Sequence, residues 1–592
     1  MLIAYDLETT RIEQGTPRLL YVTAFGESMR LSVPITGGNR LQTFCNILET
    51  YFLIPEYNKA KFIAWNGNNY DAYFIAQALL KSDRWLLQPY MTASKALRGI
   101  KVKSKEKIKI DGMRKILQVQ FLDGISMTGM VGKTLKSFLE TFAPELPKLS
   151  IGNFENIDFD ANNPEHRAYA ERDSEGLYIG MSRVQKIIET LTEKKDENGT
   201  VIQAAQSLKP TIGNLAINYF MDNVPEGVEL YTPGEELSSL LHGPLKRGGY
   251  CWCMGQYSGP VWKYDLNQAY AAAMRDAELP SGTVFKTNQY MNGQPGIYET
   301  TISRSKKSLI PFYFKTSTNQ GIFTLGDVAV TCWITSIEIE HLRKDNWNVE
   351  IHQGFYWDSV FCFSDVVSDL ELLRRTDSSG PSGPLGTMVK AIGNNAYGKT
   401  LEQLNDIELI VANECPAGYE IYDPFNEECS FVFSRQSRPI YKRHHLPQIG
   451  AFVTAHVRCK VRDTALLAPN HFLYADTDCV VFSKPVELDI DKYRYGAWKV
   501  EAENVFYIII GKKLLCGDDG TMKAKGMRVK ELTRENFENW LIEQPNQNQT
   551  QRQNFLKFLG GSVMFKQQKR RGTDVTKSAV YRVDKHGKYI PS

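Results

Sequence analysis

The features that this sequence lacks exclude several classes of protein before any motif is considered. Its ten cysteines are scattered without a Cys-x2-Cys pair, and Cys251 and Cys253 stand too close together to indicate a zinc knuckle. This usage is typical of a reducing, intracellular compartment and favours neither a disulfide framework nor structural zinc. No apolar run reaches membrane-spanning length and the N-terminus has no signal pattern, so we expect neither a membrane anchor nor secretion.

A strong excess of one charge is also missing. The net charge of +3 does not by itself indicate a nucleic-acid partner. Charge is concentrated locally, however, in an alternating run that a strand would place on one face: Lys101, Lys103, Lys105, Lys107 and Lys109. A second basic group lies near the end of the sequence: Lys566, Lys569, Arg570, Arg571 and Lys577. Either run alone is as often solvated surface, but beside a nucleotide-handling site phosphate contact becomes the favoured interpretation.

With 592 residues, 42% of them hydrophobic and 23% charged, the chain is large enough for several globular domains. Hydrophobic alternation predicts strands over 2–7 and 61–65, and helical periodicity predicts helices over 71–80 and 164–194. We place the first domain boundary at the end of the second helix. Farther along we predict a helix over 390–397 stopped by Gly398, strands over 472–475 and 479–482, and a Gln/Asn-rich loop over 544–554.

The first 175 residues carry a spaced set of carboxylates. Asp6 and Glu8 are two apart on a predicted strand and therefore share a face. Asp71 begins a predicted helix, and Tyr169 and Asp173 are four apart on another. Hard carboxylate oxygens suit Mg²⁺ or Mn²⁺, and two such ions support phosphodiester hydrolysis. Each piece alone is more often structural than catalytic, but all of them in this order predict a nuclease.

A second carboxylate set follows. Asp265 stands near the end of Lys-Tyr-Asp-Leu, and Asp476 and Asp478 flank a threonine at a predicted hairpin turn. Between them, Lys390, Asn394 and Tyr397 fall on one face of the predicted helix. Two ions on Asp265 and Asp478, with Asp476 beside them, would lower the pKa of a primer hydroxyl and neutralise a triphosphate. Carboxylate, helix motif and Asp-Thr-Asp, in that order, predict nucleotidyl transfer.

Together these motifs resemble the family B DNA polymerases, and the resemblance spans nearly the whole chain. It is narrowed to the protein-primed branch of the phi-29-like phage type by a nuclease that begins at residue 1, by the short chain, and by two insertion-length segments. The resemblance implies an α/β and α+β multidomain fold, with a DnaQ-like 3′–5′ exonuclease followed by a right-hand polymerase. It implies the following domains: 1–193 exonuclease, 194–275 first part of the palm, 276–372 first terminal-protein region, 373–402 fingers, 403–447 second terminal-protein region, 448–532 second part of the palm, and 533–592 thumb.

The resemblance also assigns roles to residues. In the exonuclease it implies that Lys148 is a catalytic lysine and that Thr9, Asn66 and Tyr70 hold a single-stranded 3′ end. In the polymerase it implies that Tyr270 blocks a ribose 2′-hydroxyl, that Leu266 joins the metal and dNTP site, and that Lys390, Asn394 and Tyr397 bind the dNTP. The DNA contacts that it implies are Arg247, Gly248, Gly249, Gly398, Arg458 (in Thr454-x3-Arg458) and Lys512.

The same resemblance implies the activity and the partners. We expect a DNA-directed DNA polymerase with proofreading that replicates a linear viral or plasmid genome by processive, strand-displacing synthesis. It would use two Mg²⁺ ions per site, with Mn²⁺ as a substitute. Its partners would be primer-template DNA, dNTPs, a separate terminal protein and, in some settings, a single-stranded-DNA-binding protein, inside the cytoplasm of an infected host if it is viral.

Several residues depart from the family pattern. Lys246 stands where a tyrosine of the Tyr-x-Gly-Gly linker is expected, Ala271 replaces a proline after Tyr270, and Asn395 replaces a serine. Leu514 replaces the tyrosine of Lys-x-Tyr, which puts the primer-binding role of Lys512 in doubt. Fingers lysines upstream of Lys390 are missing, and Arg374 and Arg375 are the candidates to replace them. None of these changes touches a predicted metal ligand.

Other interpretations of the sequence remain open at this point. Gly393 to Thr400 satisfies Gly-x4-Gly-Lys-Thr, the phosphate-loop pattern of NTPases, with Asp476 as the magnesium aspartate. That interpretation leaves Lys390, Asp265 and the N-terminal carboxylates unexplained. A nuclease whose polymerase-like half only binds DNA is a second alternative, and a DNA-coating protein that needs neither carboxylate set is a third.

Overall fold

The computed structural model describes residues 1–10, 18–92, 97–150, 159–403, 407–424, 431–438, 442–525, 532–543, 564–568, 577–583 and 589–591. The predicted loop over 544–554 and the basic residues Lys569, Arg570 and Arg571 lie outside these residues. Lys566 and Lys577 fall in strands. None of the described helices is long and apolar enough to cross a membrane.

The N-terminal third alternates strands and helices. Its elements are β1 (Leu2–Thr9), β2 (Leu19–Gly26), β3 (Met29–Pro34), α1 (Arg40–Ile47), β4 (Lys61–Ala64), α2 (Asp71–Leu79), β5 (Trp85–Met91), β6 (Leu97–Ile110), β7 (Met113–Asp123), α3 (Gly124–Thr128), α4 (Leu135–Phe142), α5 (Pro164–Thr192), β8 (Lys194–Lys195) and β9 (Val201–Gln203). The four elements predicted in this part are confirmed, with ends that differ by at most two residues. Helix α5 begins where expected because Pro164 occupies its first position and Asn163 caps it by accepting from the Glu165 backbone N–H.

The middle of the chain contains α6 (Ile212–Met221), α7 (Glu235–His242), β10 (Tyr250–Cys253), β11 (Tyr257–Leu266), α8 (Ala269–Asp276), β12 (Leu279–Thr287), β13 (Gly296–Ser303), β14 (Phe312–Lys315), β15 (Gly321–Thr324), β16 (Val330–Thr335), α9 (Ser336–Lys344), β17 (Asn348–Phe361) and α10 (Ser364–Thr376). Strands β12, β17, β13 and β16 form one antiparallel sheet, and β14 pairs with β15 in a separate hairpin. This unit occupies most of the first predicted insertion, 276–372.

The last part contains α11 (Pro384–Thr400), β18 (Ile407–Ala412), β19 (Glu420–Pro424), β20 (Phe431–Gln436), α12 (Pro447–Leu467), β21 (Phe472–Thr477), β22 (Cys479–Phe482), β23 (Trp498–Gly511), β24 (Leu514–Gly517), β25 (Met522–Ala524), α13 (Arg534–Glu543), β26 (Met564–Gln568), β27 (Lys577–Val583) and β28 (Tyr589–Pro591). The two predicted strands around Asp-Thr-Asp are confirmed. The predicted stop at Gly398 is wrong, because α11 continues through it to Thr400.

Two large sheets position the candidate sites. The first has the order β19-β20-β18-β5-β6-β7-β4-β1-β2-β3, in which β1 and β4 are parallel, as are β4 and β7. Its outer three strands come from the second predicted insertion, which joins β5 through Val411 opposite Leu87. The second sheet has the antiparallel order β10-β21-β22-β11-β23-β24-β25. The α/β and α+β multidomain fold predicted from the sequence is therefore confirmed.

One hydrophobic core connects the two halves of the molecule. Ala4, Ile63 and Leu122, on one face of the first sheet, belong to the same buried cluster as α4 and α5 and as the helices α8, α11 and α12 around the second sheet. The opposite face of the first sheet has its own buried cluster against α1 and α2. The nuclease-like half is thus packed onto the other half rather than attached only by a linker.

Candidate active sites

The first candidate site gathers the N-terminal carboxylates. Asp6 and Glu8 alternate with buried residues along β1, on which α5 packs. Asp71 is the first residue of α2, as predicted, and Asp173 lies within α5. Asp71 and Asp173 are 5% and 4% exposed, which is unusual for a charged residue without a full complement of partners. The structure brings together the four carboxylates that the sequence singled out.

The carboxylates of this site repel one another. Burial raises the pKa of Asp6 to about 7 and that of Glu8 to about 9, and in each case a neighbouring carboxylate adds to the rise. Burial, followed by the charge of Asp6, also raises the pKa of Asp71 well above its ordinary value. These shifts mean that the folded site cannot hold all of these carboxylates ionised without an added cation.

Lys148 opposes that charge. Its ammonium forms an ion pair with Asp173 and lies 4.7 Å from the centre of the Tyr169 ring. Burial and then the charge of Asp173 raise the pKa of Tyr169, so its hydroxyl remains protonated and donates to the Asp173 carboxylate. Lys148, Tyr169 and Asp173, which the sequence predicted to act together, therefore meet at one point.

The residues predicted to hold a 3′ end lie beside this cluster. Thr9 follows Glu8 at the end of β1, and its hydroxyl is 2.5 Å from the Tyr70 hydroxyl. Asn66 adopts a left-handed backbone conformation with φ 65° in the turn before α2. Thr9 and Tyr70 thus form one contact at the edge of the carboxylates, where a terminal nucleotide would reach both. Their roles in binding DNA stay predictions.

The side chains fit a divalent ion in their chemistry. Carboxylate oxygens are the ligands that Mg²⁺ and Mn²⁺ prefer, and the buried Oδ1 of Asp173 has no hydrogen-bond partner among the described residues. In the described part of the chain, however, no three His, Cys, Asp or Glu side chains are already closed around a common point. The site therefore has the ligands and the excess charge for an ion without a preformed cage.

The second candidate site lies on the second large sheet. Asp265 is near the end of β11, directly opposite Cys479 of β22, and the Leu266 backbone N–H donates to the Asp478 carbonyl at 2.7 Å. Thr477, between Asp476 and Asp478, has φ 68°, a conformation that an unsupported threonine rarely adopts. The tight hairpin places both acids of Asp-Thr-Asp next to Asp265. They line an open cleft of about 250 Å³.

Lysines pair with two of the three acids. The Lys499 ammonium is 2.8 Å from Asp265, its cross-strand neighbour, and the Lys513 ammonium is 2.7 Å from Asp476, with Lys523 at 3.5 Å. Burial favours a raised pKa for Asp476, but these lysines outweigh it and lower the pKa. Asp478 has no such ion pair within the described ranges, and burial followed by the charge of Asp265 raises its pKa to about 6.

Sequence reasoning missed these lysines. Lys499 and Lys513 belong to strand pairings and turns that only the fold creates, although Lys513 adjoins the predicted Lys512. Their ammonium groups lie beside Asp265 and Asp476. A divalent ion bound there would neutralise the same carboxylate charge. The donor set of Asp265, Asp476 and Asp478 therefore also fits the predicted ions.

The predicted nucleotide-binding helix faces this cleft. Lys390, Asn394 and Tyr397 lie in α11, and the Tyr397 ring stacks on Tyr270 of α8 with centroids 4.0 Å apart and planes 14° apart. Burial lowers the pKa of Lys390, and the nearby positive charges of Arg374 and Lys499 lower it further. Arg374, which the sequence suggested as a replacement for a missing lysine, is thus near enough to Lys390 to act with it.

The structure contradicts the phosphate-loop interpretation. A phosphate loop needs a strand followed by a loop that opens a helix, whereas Gly393 to Thr400 lies inside α11. Lys399 is directed instead to Glu402, at 2.8 Å. Gly398 does face open space, since a Cβ added there would have no heavy atom within 4 Å among its described neighbours, so a template could approach it.

Two predicted DNA contacts require correction. Arg247 and Arg458 are 2% and 3% exposed, and both guanidiniums bind Glu338 of α9, at 2.6 and 3.0 Å. Side chains that are buried in an ion-pair network cannot also contact DNA. Sequence reasoning missed this because Glu338 is supplied by the insertion, some 90 residues from Arg247.

The remaining linker residues are placed differently. A Cβ on Gly249 would lie 2.7 Å from the Thr477 side chain, so only glycine permits this approach to the Asp-Thr-Asp hairpin, while Gly248 has open space beside it. Lys246, which replaces the expected tyrosine, donates to the Leu401 carbonyl at 3.1 Å. The Lys512 ammonium lies 4.0 Å from the Phe323 ring centre and 4.6 Å from that of Trp252.

The alternating lysines lie on β6. The register with β7 places Lys101 and Lys103 opposite Gln120 and Gln118, and Lys107 and Lys109 opposite Ile116 and Arg114. These four lysines share one face, as predicted, whereas Lys105 falls in a bulge between Lys103 and Lys107. Following the pairings β6–β7–β4–β1, the same face carries Asp6 and Glu8 three strands away in the sheet.

Comparisons with known proteins agree with this geometry. Residues 163–431 match the family model of DNA polymerase type B, organellar and viral. The DNA-directed DNA polymerase of Enterobacteria phage PRD1 is 22% identical over 320 residues, 52% of this chain and 54% of its own, and a probable DNA polymerase of Agaricus bitorquis is 21% identical over 325 residues, 47% of this chain and 40% of its own. The chain thus spans about half the length of the curated relatives it matches.

Solved structures give a longer match. Phi29 DNA polymerase complexed with primer-template DNA and incoming nucleotide substrates has a TM-score of 0.68 at 17% identity, covering 90% of this chain and 94% of the other. Phi29 DNA polymerase complexed with primer-template DNA alone has a TM-score of 0.67 at 14% identity and covers 98% of both chains. The chain therefore resembles the organellar and viral type B DNA polymerases in sequence over residues 163–431, and it has the fold of phi29 DNA polymerase.

Proposed function

We propose that the chain is a DNA-directed DNA polymerase with a 3′–5′ proofreading exonuclease. The observation that carries the proposal is the convergence of Asp265, Asp476 and Asp478 in one cleft, opposite the stacked Tyr270 and Tyr397. The family match includes Asp265 but ends before the Asp-Thr-Asp hairpin, so this convergence supports the proposal independently.

Divalent ions complete the chemistry of both sites. Two Mg²⁺ ions in each site, or Mn²⁺ in their place, would neutralise the charge that develops in phosphoryl transfer. They would be held by Asp265, Leu266 and Asp478 in the polymerase cleft, and by Asp6, Glu8, Asp71 and Asp173 in the N-terminal site. Lys513 helps to keep Asp476 ionised, because a neighbouring cation favours the charged form of a carboxyl group, whereas at Asp265 burial outweighs Lys499 and raises the pKa.

The residues around the polymerase cleft select and orient the nucleotide. Lys390, with Arg374 near it, supplies positive charge for the triphosphate, and Asn394 lies on the same face of α11. The stacked rings of Tyr270 and Tyr397 form a rigid wall at which a ribose 2′-hydroxyl would collide. Selection of dNTPs over ribonucleotides follows from this wall.

The nuclease site uses its own residues to orient water. Lys148 holds Asp173 by an ion pair and covers the face of Tyr169, whose protonated hydroxyl can orient an attacking water. Thr9 and Tyr70, joined by their hydroxyls, would receive the terminal nucleotide, with a base stacked on Tyr70.

The expected biological setting is protein-primed replication of a linear genome. This part of the proposal is supported by the phi29 DNA polymerase fold and by the similarity to the phage PRD1 enzyme. The partners would be primer-template DNA, dNTPs and a separate terminal protein whose hydroxyl replaces the first primer 3′-hydroxyl. Processive, strand-displacing synthesis would depend on the two insertions. If no labelled dNMP becomes attached to the cognate terminal protein, the proposal of protein priming is wrong, whereas the proposal of a DNA polymerase is unaffected.

The decisive experiment follows a 5′-labelled primer on a longer template with Mg²⁺, with and without dNTPs. The wild type should extend the primer with dNTPs and shorten it without them, whereas Asp478→Ala should only shorten it. If the wild type shortens the primer under both conditions, the second half is not a working polymerase, and a nuclease with a DNA-binding module is the better description.

A further inference from the structure

The linker before β10 is held in place by the first insertion, not only by its own sheet. The Lys315 ammonium donates to the Lys246 carbonyl at 2.6 Å, and the Tyr250 hydroxyl donates to the Pro311 carbonyl at 2.8 Å. Between these two points Arg247 donates to the Tyr313 carbonyl at 3.2 Å. The insertion therefore contacts the linker on both sides of its two glycines.

Glu338 lies at the centre of these contacts and is fully buried. Its two carboxylate oxygens accept from Arg247 at 2.6 Å and from Arg458 at 3.0 Å. It also accepts from the backbone N–H of Thr335, which fixes the start of α9. Burial alone would raise the pKa of Glu338, but the two guanidiniums outweigh it and lower the pKa to about 2, so the network is charged at any ordinary pH.

Arg458 carries the contact from Glu338 to the linker backbone. One of its terminal nitrogens binds Glu338 while the other donates to the carbonyls of Arg247 and Gly248, each at 3.3 Å. Gly249 is the next residue, and its backbone lies close against Thr477. Tyr250 and Cys251 then pair with Thr477 and Asp476 of the neighbouring strand. Thr477 is the residue whose left-handed conformation sets the angle between Asp476 and Asp478.

We propose that Glu338 is a positioning residue of the polymerase site: through Arg247 and Arg458 it holds residues 248–249 against Thr477 and thereby fixes the directions of Asp476 and Asp478. The inference rests on the proposed polymerase function and deepens it. A left-handed threonine is maintained only when its surroundings over-determine it, and the linker supplies that constraint. The first insertion thus contributes to nucleotide addition through its buried contacts with the linker.

A second ion pair between α12 and the end of α9, with side chains 1% and 13% exposed, provides a control. Arg462, one turn after Arg458 in α12, binds Asp345 just after α9 at 2.6 Å and donates to the carbonyls of Ile310 and Pro311. None of its hydrogen bonds or ion pairs to described residues reaches 247–249. Disrupting it weakens the same interface without touching the catalytic hairpin.

The test replaces each ion-pair network by apolar side chains, because a protein often keeps its stability when a buried ion cluster is exchanged for apolar residues. The variants are Arg247→Met with Glu338→Leu and Arg458→Met, and the control Arg462→Met with Asp345→Leu. In the triple variant we expect an unfolding temperature and a nuclease rate close to wild type, and a kcat for single-nucleotide addition reduced about a hundredfold. The KM for dNTP should change little, because Lys390 is untouched. The control should keep the wild-type kcat.

Amide hydrogen exchange over residues 474–482 gives a readout that does not depend on polymerase activity. Faster exchange there in the triple variant, and not in the control, is the expected result. Wild-type kcat and exchange in the triple variant, or equal losses in the control, would overturn the proposal. If the wild type itself fails to extend a primer, the function has failed, while the exchange comparison still decides whether Glu338 positions the hairpin.

A milder variant covers the case in which the triple variant does not fold. Glu338→Asp keeps the charge but withdraws the carboxylate by one methylene from the two arginines. We expect a kcat between those of the wild type and the triple variant, with KM unchanged. An unaltered kcat with unaltered exchange would contradict the positioning role.

Discussion

The two candidate sites contain the same kind of carboxylates but differ in how many lysines lie against them. In the N-terminal site burial raises the pKa values of Asp6, Glu8, Asp71 and Asp173, and Lys148 forms an ion pair with Asp173. In the second site Asp265 and Asp476 each have a lysine within 3 Å, whereas Asp478 lacks one among the described residues. The first site therefore depends on an external cation more strongly than the second.

The buried carboxylates of the N-terminal site favour the protonated form until a cation enters, whereas Asp476 of the second site is already held ionised by its lysines. The N-terminal site should thus respond to pH and to divalent ions over a wider range. Substitutions, changes of pH and changes of salt concentration each test one part of this difference between the two sites.

The largest effect should come from removing two acids of the N-terminal site. Asp6→Ala with Glu8→Ala should reduce primer shortening at least about a thousandfold, because both predicted ion ligands on β1 are lost. Extension should remain, since neither residue lies in the second cleft. The measurement is the shortening of a 5′-labelled primer without dNTPs, with the exposed Glu106→Ala as control. Loss of both activities would show that the two sites are not separate.

A smaller effect should distinguish two lysines of α11. Lys390→Ala should lower the rate of nucleotide addition by about a hundredfold, because its charge faces the predicted triphosphate. Lys399→Ala, which breaks only the ion pair with Glu402, should leave the rate within a few-fold of wild type. Single-turnover addition of one dNTP measures both. The reverse order of effects would mean that Lys390 does not face the triphosphate.

The stability of the ion-free protein should fall as the pH rises. The pKa values of Asp6 and Glu8 are raised in the folded protein, to about 7 and about 9, so the folded state binds more protons than the unfolded state between roughly pH 4 and 9. The stability that these two carboxyl groups contribute is fully present below the pKa values that they have in the unfolded chain. It is lost as the pH rises through the pKa values that they have in the folded protein.

Melting temperatures measured in chelator from pH 5 to 9 test this sign. Asp6→Asn with Glu8→Gln should flatten the decline, and Mg²⁺ should oppose it in the wild type only. A melting temperature that rises with pH in the wild type and not in the double variant would mean that the folded protein does not raise the pKa values of these two acids.

The smallest effect is expected from the lysine face of β6. Lys103→Gln with Lys107→Gln and Lys109→Gln should weaken DNA binding and lower the slope of log affinity against log salt by about 0.7–0.9 for each phosphate that these side chains neutralise. Three exposed lysines elsewhere, changed as Lys186→Gln with Lys306→Gln and Lys525→Gln, control for the reduced net charge. Equal slopes in the two triple variants would leave the β6 lysines as ordinary solvated surface.

Local patterns were predicted more reliably than partners. Helix α5 and the Asp-Thr-Asp hairpin were correct because proline, capping and strand alternation act over a few residues. The end of α11 was wrong because Gly398 can be accommodated within a helix when neighbouring turns are well packed. The domain boundaries and the roles of the site residues stay predictions.

The burial of Arg247 and Arg458 shows where such prediction fails. Both were assigned to DNA from motif position, yet both bind Glu338, which comes from an insertion that has no motif. The lysines of the second site were missed for the same reason. An ion pair between distant residues leaves no periodic signal in the sequence.

The sequence by itself determined the types, order and local geometry of the carboxylates, and hence the expectation of two phosphoryl-transfer sites. Spacings of two, four and seven residues specify one face of a strand or helix, because backbone periodicity is fixed by covalent geometry. Only the tertiary structure decided which cations oppose those acids: Lys148 for Asp173 and its neighbours, and separate lysines for Asp265 and Asp476. Electrostatic energy depends on distance in space, and strand order and insertion docking, not spacing along the chain, set those distances.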